Sequence, residues 1–256
     1  MLALVGPDLL GEVKCMCAGG RLSAAALVQQ GDLEGLLSMA ADFHGHTCPY
    51  LALGVRASAL AMRALGVGRA GVQESVAESL LAVVECNNCF TDGVQVATGC
   101  TLGNNSLVYL DLGKTALSLV RRSTWEGVRI CVDDEELQGE SFPPEASELF
   151  DKVVRRRCGT PEDAARLEEL WQEAGLRVLA LPDSFFDVRP IRVEPIEQAP
   201  IFSSKRCAAC RELAMETRVA SCADGKAYCL RCAGEPFHAL IGRGIVQWQK
   251  HPQSKE

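Results

Sequence analysis

The sequence predicts a domain of mixed helices and strands, followed by a small cysteine-rich module. Two observations predict the mixed domain: apolar residues recur at helical spacing in 50–65, and 80–84 is a continuous apolar run of strand length. The module is predicted by two Cys-x-x-Cys pairs that stand eighteen residues apart near the end of the chain. The predicted divisions are a helical lead-in (1–37), a core (38–195) and the module with its tail (201–256).

The composition excludes several classes of protein. A net charge of -7 and a pI near 5.3 argue against nucleic acid or an anionic membrane as the main partner. No apolar run reaches the length of a membrane-spanning helix, and residues 1–12 lack the basic start of a secretory signal. Thirteen cysteines, several of them paired near histidines, indicate metal or redox chemistry in a reducing compartment, so we expect a cytoplasmic protein.

The segment Asp-Phe-His-Gly-His-Thr-Cys-Pro at 42–49 is the first chemical motif. It places His44, His46 and Cys48 within five residues. Pro49 is typical of the first position of a helix, which makes Cys48 the predicted N-cap. The positive end of a helix dipole favours a thiolate at that position. The alternative interpretation is a helix start with a buried cysteine and two polar histidines in a turn.

A second motif follows the predicted strand 80–84. Glu85 and a Cys-x-x-Cys pair lead into a predicted helix at 94–97, so the sulfurs of Cys86 and Cys89 are expected at another helix N-terminus, which Asn87 or Asn88 caps. A thioredoxin-type dithiol is the redox alternative for this pair. We favour metal binding, because a dithiol needs neither the two histidines nor a third cysteine.

The two motifs together predict a metal site. Its expected ligands are His44, Cys48, Cys86 and Cys89, with His46 as an alternate ligand. Thiolates with imidazoles suit Zn²⁺, iron or Cu(I), and if only three residues bind, a position stays open for water or substrate.

Three residues are candidates for catalysis: His46, Asp92 and Lys114. Asp92 could orient a ligating histidine or act as a general base, and Lys114, like Glu85, could polarise a bound group. The structural alternative for these charged residues is a helix cap or an ion pair.

Further elements follow from apolar runs and from turn residues. The runs 106–111 and 116–120, joined through Gly113 and Lys114, predict a β-hairpin, and the Gly-Lys-Thr there lacks the upstream glycine of a phosphate loop. Beyond it we predict a strand at 128–132, helices at 145–157 and 164–174 (the second ending at Gly175), a strand at 176–181 and an edge strand with a proline at 186–193.

Four motifs follow one another along the chain: Asp-Phe-His-Gly-His-x-Cys-Pro (42–49), Glu-Cys-x-x-Cys-Phe-x-Asp (85–92), Thr-Gly-Cys-Thr-x-Gly (98–103) and Leu-Gly-Lys (112–114). Over residues 38–155 the chain resembles the FmdE family of formylmethanofuran dehydrogenase proteins. The resemblance implies an α+β core, a Cys/His cluster in a cavity and often an intertwined homodimer. The sequence departs from the family at Tyr50, where glycine is usual, and a ring there narrows the expected cavity mouth.

The cysteine-rich module predicts a zinc finger. Its four cysteines, Cys207, Cys210, Cys229 and Cys232, supply the ligands of one tetrahedral Zn²⁺ ion, which so short a segment needs in order to fold. The module resembles the treble-clef or ribbon finger that some FmdE family members carry. Cys222 is left over, and Cys15 and Cys17 are interpreted as small apolar residues, with a Cys-x-Cys metal pair as the alternative. The apolar tail 237–248 is expected to pack on a partner subunit.

The expected function depends on the resemblance. It implies a metal-dependent enzyme or accessory subunit that acts on a small molecule in one-carbon or molybdenum- or tungsten-linked metabolism, with zinc or another transition metal in the core site. One alternative is a metal-handling or metal-sensing protein. Another is a module whose basic finger binds a partner protein or, against the overall charge, RNA.

Overall fold

The computed structural model of the chain describes residues 22–248. Cys15 and Cys17 lie outside these residues. The helices are α1 (Ala24–Gln30), α2 (Leu33–His44), α3 (Pro49–Leu65), α4 (Val72–Val76), α5 (Cys89–Thr98), α6 (Asp134–Ser141), α7 (Pro144–Phe150), α8 (Pro161–Leu179) and α9 (Leu230–Ala233). The strands are β1 (Leu80–Val84), β2 (Leu107–Tyr109), β3 (Ala116–Arg121), β4 (Glu126–Cys131), β5 (Asp187–Arg192), β6 (Ser204–Arg206), β7 (Leu213–Met215), β8 (Val219–Ser221), β9 (Ala227–Cys229), β10 (Phe237–Ile241) and β11 (Gly244–Trp248).

Within residues 22–248, the central sheet has five strands in the order β2-β1-β3-β4-β5. Strand β1 runs parallel to β2, and the remaining pairs are antiparallel. All five residues of β1 are buried, as expected for an apolar run that is covered on both faces. Strand β5 lies at the edge of the sheet, where Pro190 costs no ladder hydrogen bond, and this confirms the predicted edge strand.

The helices cover one face of the sheet and enclose the main core. Alternate residues of β1 divide between the two faces: Leu80, Ala82 and Val84 pack with the helices, whereas Leu81 and Val83 pack on the other side. Helix α3 is the central helix, and most of its residues are buried. Its N-terminus carries Cys48, so the core helix also positions the first chemical motif.

Helices α3 and α5 cross in close contact at two glycines. A Cβ atom added to Gly54 would overlap the carbonyl oxygen of Phe90, and one added to Gly93 would overlap that of Leu51. Only glycine permits this approach. The crossing brings the N-terminus of α5, with Cys89, next to the N-terminus of α3.

The predicted hairpin of 106–111 with 116–120 is wrong. Strands β2 and β3 lie on opposite sides of β1, which pairs with β2 in parallel and with β3 in antiparallel orientation. The apolar strand β1, which is buried throughout, lies between them. The local hairpin of this region is formed instead by β3 and β4.

The predicted helix end at Gly175 and the strand at 176–181 are also wrong. Helix α8 continues through Gly175 to Leu179. A Cβ atom at Gly175 would meet Thr47, Ala52 and Leu37 at 3.3 to 3.6 Å, so this glycine serves the close packing of α8 on α2 and α3. The N-terminus of α8 agrees with the prediction, since Thr160 and Asp163 form a capping box.

The predicted boundary between lead-in and core, at residue 38, falls inside α2. Leu36 and Leu37 belong to the same buried cluster as Leu51. In the described part of the chain, no helix is long and apolar enough to cross a membrane.

The C-terminal module consists of three small hairpins and one short helix. Strands β6–β7, β8–β9 and β10–β11 each form a two-stranded antiparallel sheet. Of the four cysteines in its Cys-x-x-Cys pairs, two follow β6, one ends β9 and one lies in α9, the arrangement of a treble-clef finger. The β10–β11 hairpin contacts the core, because the Asn87 side chain donates to the Ile241 carbonyl at 2.8 Å and the Ile245 N–H donates to Asp111 at 2.8 Å.

Candidate metal centre

Among the described residues, four side chains meet between the helix ends of the core. His44, His46, Cys48 and Cys89 place one ligand atom each, and these atoms all lie within 4.8 Å of one another. The ligand atoms of a tetrahedral zinc site with two sulfurs and two nitrogens lie roughly 3.3–3.8 Å apart, so the cluster needs little movement to enclose an ion.

Local backbone geometry produces this meeting. His44 ends α2, and Gly45 follows it in the left-handed region with φ 99°, which turns the chain so that the rings of His44 and His46 lie 4.5 Å apart. Cys48 caps α3, with its sulfur accepting a hydrogen bond from the Leu51 N–H at 3.4 Å, as predicted.

His44 is held in the geometry of a metal ligand. Its Nδ1 lies 2.7 Å from Oδ2 of Asp92, whose other oxygen accepts a hydrogen bond from Gln95 at 2.9 Å. Its Nε2 is buried and has no hydrogen-bond partner within residues 22–248. Metal-binding histidines commonly donate a hydrogen bond from the N–H of their second ring nitrogen to a carboxylate in this way. Of the two roles predicted for Asp92, the geometry matches the orientation of a histidine.

Burial by itself lowers the pKa of His44, but the hydrogen bond to Asp92 and the charge of Cys89 outweigh it and raise the pKa. The imidazole is therefore stabilised by negative charge on both sides. In the protonated imidazole, Nε2 carries a proton. A metal cation bound at Nε2 would replace this proton.

The pKa values of the two cysteines in the cluster are shifted in opposite directions. The hydrogen bond to Cys89, together with burial, raises the pKa of Cys48, although the Leu51 N–H opposes this. The same hydrogen bond lowers the pKa of Cys89 against the effect of burial, with further help from His44. These shifts favour a thiolate on Cys89, whereas the helix-cap argument favoured one on Cys48.

Cys86, one of the expected ligands, does not belong to this group of four. Its sulfur lies 3.5 Å from the side-chain oxygen of Asn88, which caps α5 by accepting from the Phe90 N–H. His46 takes the fourth place instead. The spacing of a Cys-x-x-Cys pair does not reveal this difference, because it does not show which of the two sulfurs comes close to Cys48.

Glu85 and Lys114 lie outside the cluster. Arg129 binds both carboxylate oxygens of Glu85, at 2.7 and 2.9 Å, and holds the pKa of this buried carboxyl below its usual value. Lys114 donates its backbone N–H to the Glu85 carbonyl at 3.0 Å, and its charge also lowers the pKa of Glu85. These residues form an ion-pair group around the end of β1.

Aromatic rings border the cluster on the side of His46. The ring of His46 stacks on Trp171 of α8, with centroids 5.5 Å apart and planes 29° apart, and Phe150 contacts the same indole at 5.9 Å. Tyr50 packs edge-to-face on Phe142 at 6.2 Å. Trp171 was not recognised from the sequence, where it looks like any other position on the apolar face of α8.

The second cluster is the one predicted in the module. Cys207, Cys210, Cys229 and Cys232 place their sulfurs within 4.8 Å of one another. Backbone N–H groups of Cys229, Cys210 and Ala209 lower the pKa of Cys207 to about 6, as expected for a sulfur that is prepared to bind a cation. Cys222 is exposed and lies outside this cluster.

Comparison with known proteins agrees with this fold. The model of the family FmdE, Molybdenum formylmethanofuran dehydrogenase operon, matches residues 43–187, which contain the whole core cluster. The chain belongs to the FmdE family. The match includes β1 to β4 and ends at the first residue of β5.

A relative from Archaeoglobus fulgidus, named a probable S-adenosyl-L-methionine-binding protein, is 57% identical over 219 residues. The alignment covers 86% of this chain and 58% of the relative, so the chain spans little more than half of the relative's length.

A solved structure shares the architecture. The crystal structure of a tungsten formylmethanofuran dehydrogenase FmdE-like protein from Syntrophus aciditrophicus superposes with a TM-score of 0.50 at 25% identity. The superposition covers 79% of this chain and 92% of the other.

Proposed function

We propose that the core cluster binds a transition-metal ion and that this FmdE family protein uses the ion on a small molecule. In this proposal it acts as an enzyme or an accessory subunit in one-carbon or molybdenum- or tungsten-linked metabolism. The single observation that carries the metal site is the buried, unpartnered Nε2 of His44, which Asp92 fixes beside two cysteine sulfurs.

The donor set limits the choice of ion. Two sulfurs and two imidazoles favour zinc, iron or Cu(I) over magnesium or calcium. A bound ion would supply Lewis acidity to a small molecule in the site. The protein's own part is to set the tautomer of His44 through Asp92, to present Cys89 as a thiolate and to release the Cys48 proton when an ion enters.

The module has a structural part in this proposal. Its four clustered cysteines hold a zinc ion, and the folded finger then binds a protein partner or the second subunit of a homodimer. Its basic residues, Lys205, Arg206, Arg211, Arg218, Lys226 and Arg231, suit an acidic protein surface.

A second candidate function follows from the relative of Archaeoglobus fulgidus. The 57% identity supports S-adenosyl-L-methionine as a ligand to test, although much of that relative lies outside the match. Calorimetric titration of the metal-loaded protein with S-adenosyl-L-methionine measures whether the protein binds this compound. Micromolar binding that Cys89→Ala abolishes would place the ligand at the core site, and absence of heat would remove the candidate.

Metal content per chain tests the main proposal. We expect two ions in the wild type, one after Cys48→Ala with Cys89→Ala, and one after Cys229→Ala with Cys232→Ala. Cys86→Ala is the matched control, a buried cysteine next to the cluster, and should retain two. One ion in both the wild type and the first double variant, after loading with zinc or iron, would contradict the core site.

A further inference from the structure

We infer that His46 is a replaceable ligand: His44, Cys48 and Cys89 hold the core ion, and the His46 imidazole gives up its place to a small donor molecule. This inference rests on the proposed metal site. It identifies His46 as the one of the four residues that makes room for a ligand. It also assigns Trp171 as the residue that keeps His46 near the ion until a ligand replaces it.

Three of the four ligands are fixed by a second contact. His44 is tied to Asp92 at 2.7 Å. Cys48 is tied to the first turn of α3 through the Leu51 N–H at 3.4 Å. Cys89 is the first residue of α5, whose start is capped by Asn88 and whose crossing with α3 leaves no room for displacement. Displacing the donor atom of His44 or Cys48 would break its hydrogen bond, and displacing the backbone of Cys89 would require movement of α5.

His46 differs from them in each respect. It lies between α2 and α3, one residue after Gly45, where an added Cβ atom would meet nothing within 4 Å. Its side chain makes no hydrogen bond to any residue that the structure describes. Its ring contacts there are with His44 at 4.5 Å and Trp171 at 5.5 Å. Rotation of this ring would break no hydrogen bond and shift no helix.

Trp171 therefore acts as a positioning residue. Its indole face lies nearly parallel to the His46 ring, and Phe150 supports the indole from another side. Stacking of this kind is weak and not tied to one exact orientation, unlike the hydrogen bond that fixes His44. It is suited to a ligand that stays near the ion without being locked to it.

Charge selects the class of molecule that can replace the imidazole. Two thiolates already neutralise a divalent ion, so the incoming group is a neutral or singly anionic donor with one nitrogen, sulfur or oxygen atom. The aromatic border of Trp171 and Phe150 favours a donor that carries a flat or apolar part.

The test uses the full chain loaded with Co²⁺, whose visible spectrum reports the ligands, and imidazole as the probe. His46→Ala should keep cobalt in the core site with less than a tenfold loss of affinity. Added imidazole should then bind at millimolar concentration and restore a spectrum like that of the wild type. His44→Ala should lose more than a hundredfold in cobalt affinity. Equal loss in the two variants, or no spectral response to imidazole in His46→Ala, would overturn the inference.

The positioning role of Trp171 is tested in proteins that retain His46. In Trp171→Ala, imidazole should displace His46 at a concentration several-fold lower than in the wild type, with cobalt content unchanged, and Trp171→Phe should restore most of the difference. An unchanged imidazole affinity in Trp171→Ala would remove the positioning role. If His46→Ala does not fold, His46→Gln gives the same readout, because a side-chain amide binds cobalt poorly.

The two proposals fail in different ways. If the wild type binds cobalt only in the finger, the proposed metal site itself is wrong. If it binds cobalt in the core and His46→Ala offers no open position, the metal site stands and only the replaceable ligand is excluded.

Discussion

Asp92 holds His44 through one carboxylate oxygen and Gln95 through the other. The carboxylate thus fixes both the orientation and the tautomer of the imidazole. Partners of this kind contribute about 10–100-fold to metal affinity in known sites.

If the core cluster binds an ion as proposed, we expect Asp92→Ala to weaken that binding by about 10–100-fold and to leave ion binding by the module cysteines unchanged. Asp92→Asn, which retains one acceptor oxygen, should lose less. Competition with a chelator of known affinity measures both variants. Glu168→Gln, an exposed carboxylate on α8, serves as the control, and equal affinity in Asp92→Ala and wild type would contradict a ligating His44.

Glu85 gives a prediction about pH. Arg129 lowers the pKa of Glu85, so the charged carboxylate is favoured in the folded state. Its contribution to stability is therefore complete above the usual pKa of 4.5 and disappears as the pH falls through the lowered value.

Glu85→Gln should accordingly reduce the free energy of unfolding by about 1–3 kcal/mol at pH 7, because Arg129 loses its partner in a largely buried place. The difference from wild type should shrink below pH 4.5. Chemical unfolding at several pH values measures it. The exposed pair of Glu145 and Arg166 is the control, and Glu145→Gln should leave stability unchanged. A difference that stays constant down to pH 3 would refute the assignment.

At the scale of elements, the crossing of α3 and α5 determines where the sulfurs of Cys48 and Cys89 meet. Gly54 and Gly93 allow each helix to touch the backbone of the other. The site is thus a product of helix packing as much as of its ligands.

Gly54→Ala should force the helices apart and lower the free energy of unfolding by about 1–3 kcal/mol. It should also weaken the core ion, since Cys89 moves with α5. Gly139→Ala on α6, where an added Cβ meets nothing within 4 Å, is the matched control and should be neutral or slightly stabilising. Thermal melts and chelator competition test both effects, and a Gly54→Ala protein with native stability would show that the helices can separate freely.

At the scale of the whole molecule, the finger and the core depend on different interactions. The core has a continuous apolar interior, whereas the described part of the module has short strands that are half-buried or exposed and one fully buried cysteine, Cys207. A module of this kind folds on its metal.

Cys229→Ser with Cys232→Ser should therefore unfold the module and leave the core intact. Hydrogen exchange should show loss of protection in β6 to β9 and unchanged protection in β1, β3 and β4. Wild type treated with a mild chelator should behave in the same way if the finger loses its ion first. Loss of protection in the central strands would mean that the core needs the finger in order to fold.

Local signals predicted much of this arrangement. Pro49 after Cys48 was enough to place the start of α3, and Thr160 with Pro161 placed the start of α8. The spacing of the two Cys-x-x-Cys pairs near the end of the chain predicted the four-cysteine cluster of the module. Each of these depends on neighbours within a few residues, which a sequence displays directly.

The misplaced elements depend on contacts between distant residues. No turn motif predicts that β2 pairs with β1. Gly175 stays within a helix because it packs closely against Thr47, before α3, and Ala52 of α3. The exchange of Cys86 for His46 in the cluster has the same origin, since the crossing of α3 and α5 decides which side chains meet.

The core cluster also ties together parts of the chain that are remote in sequence. Cys48 and Cys89 lie roughly forty residues apart, and an ion that bridges them closes the intervening segment into a ring. Such a ring restricts the disordered chain more than the native one, in the manner of a cross-link. The ion would then influence the turnover of the protein: a cell short of that metal would hold a more readily opened and more readily digested chain, whatever reaction the site performs.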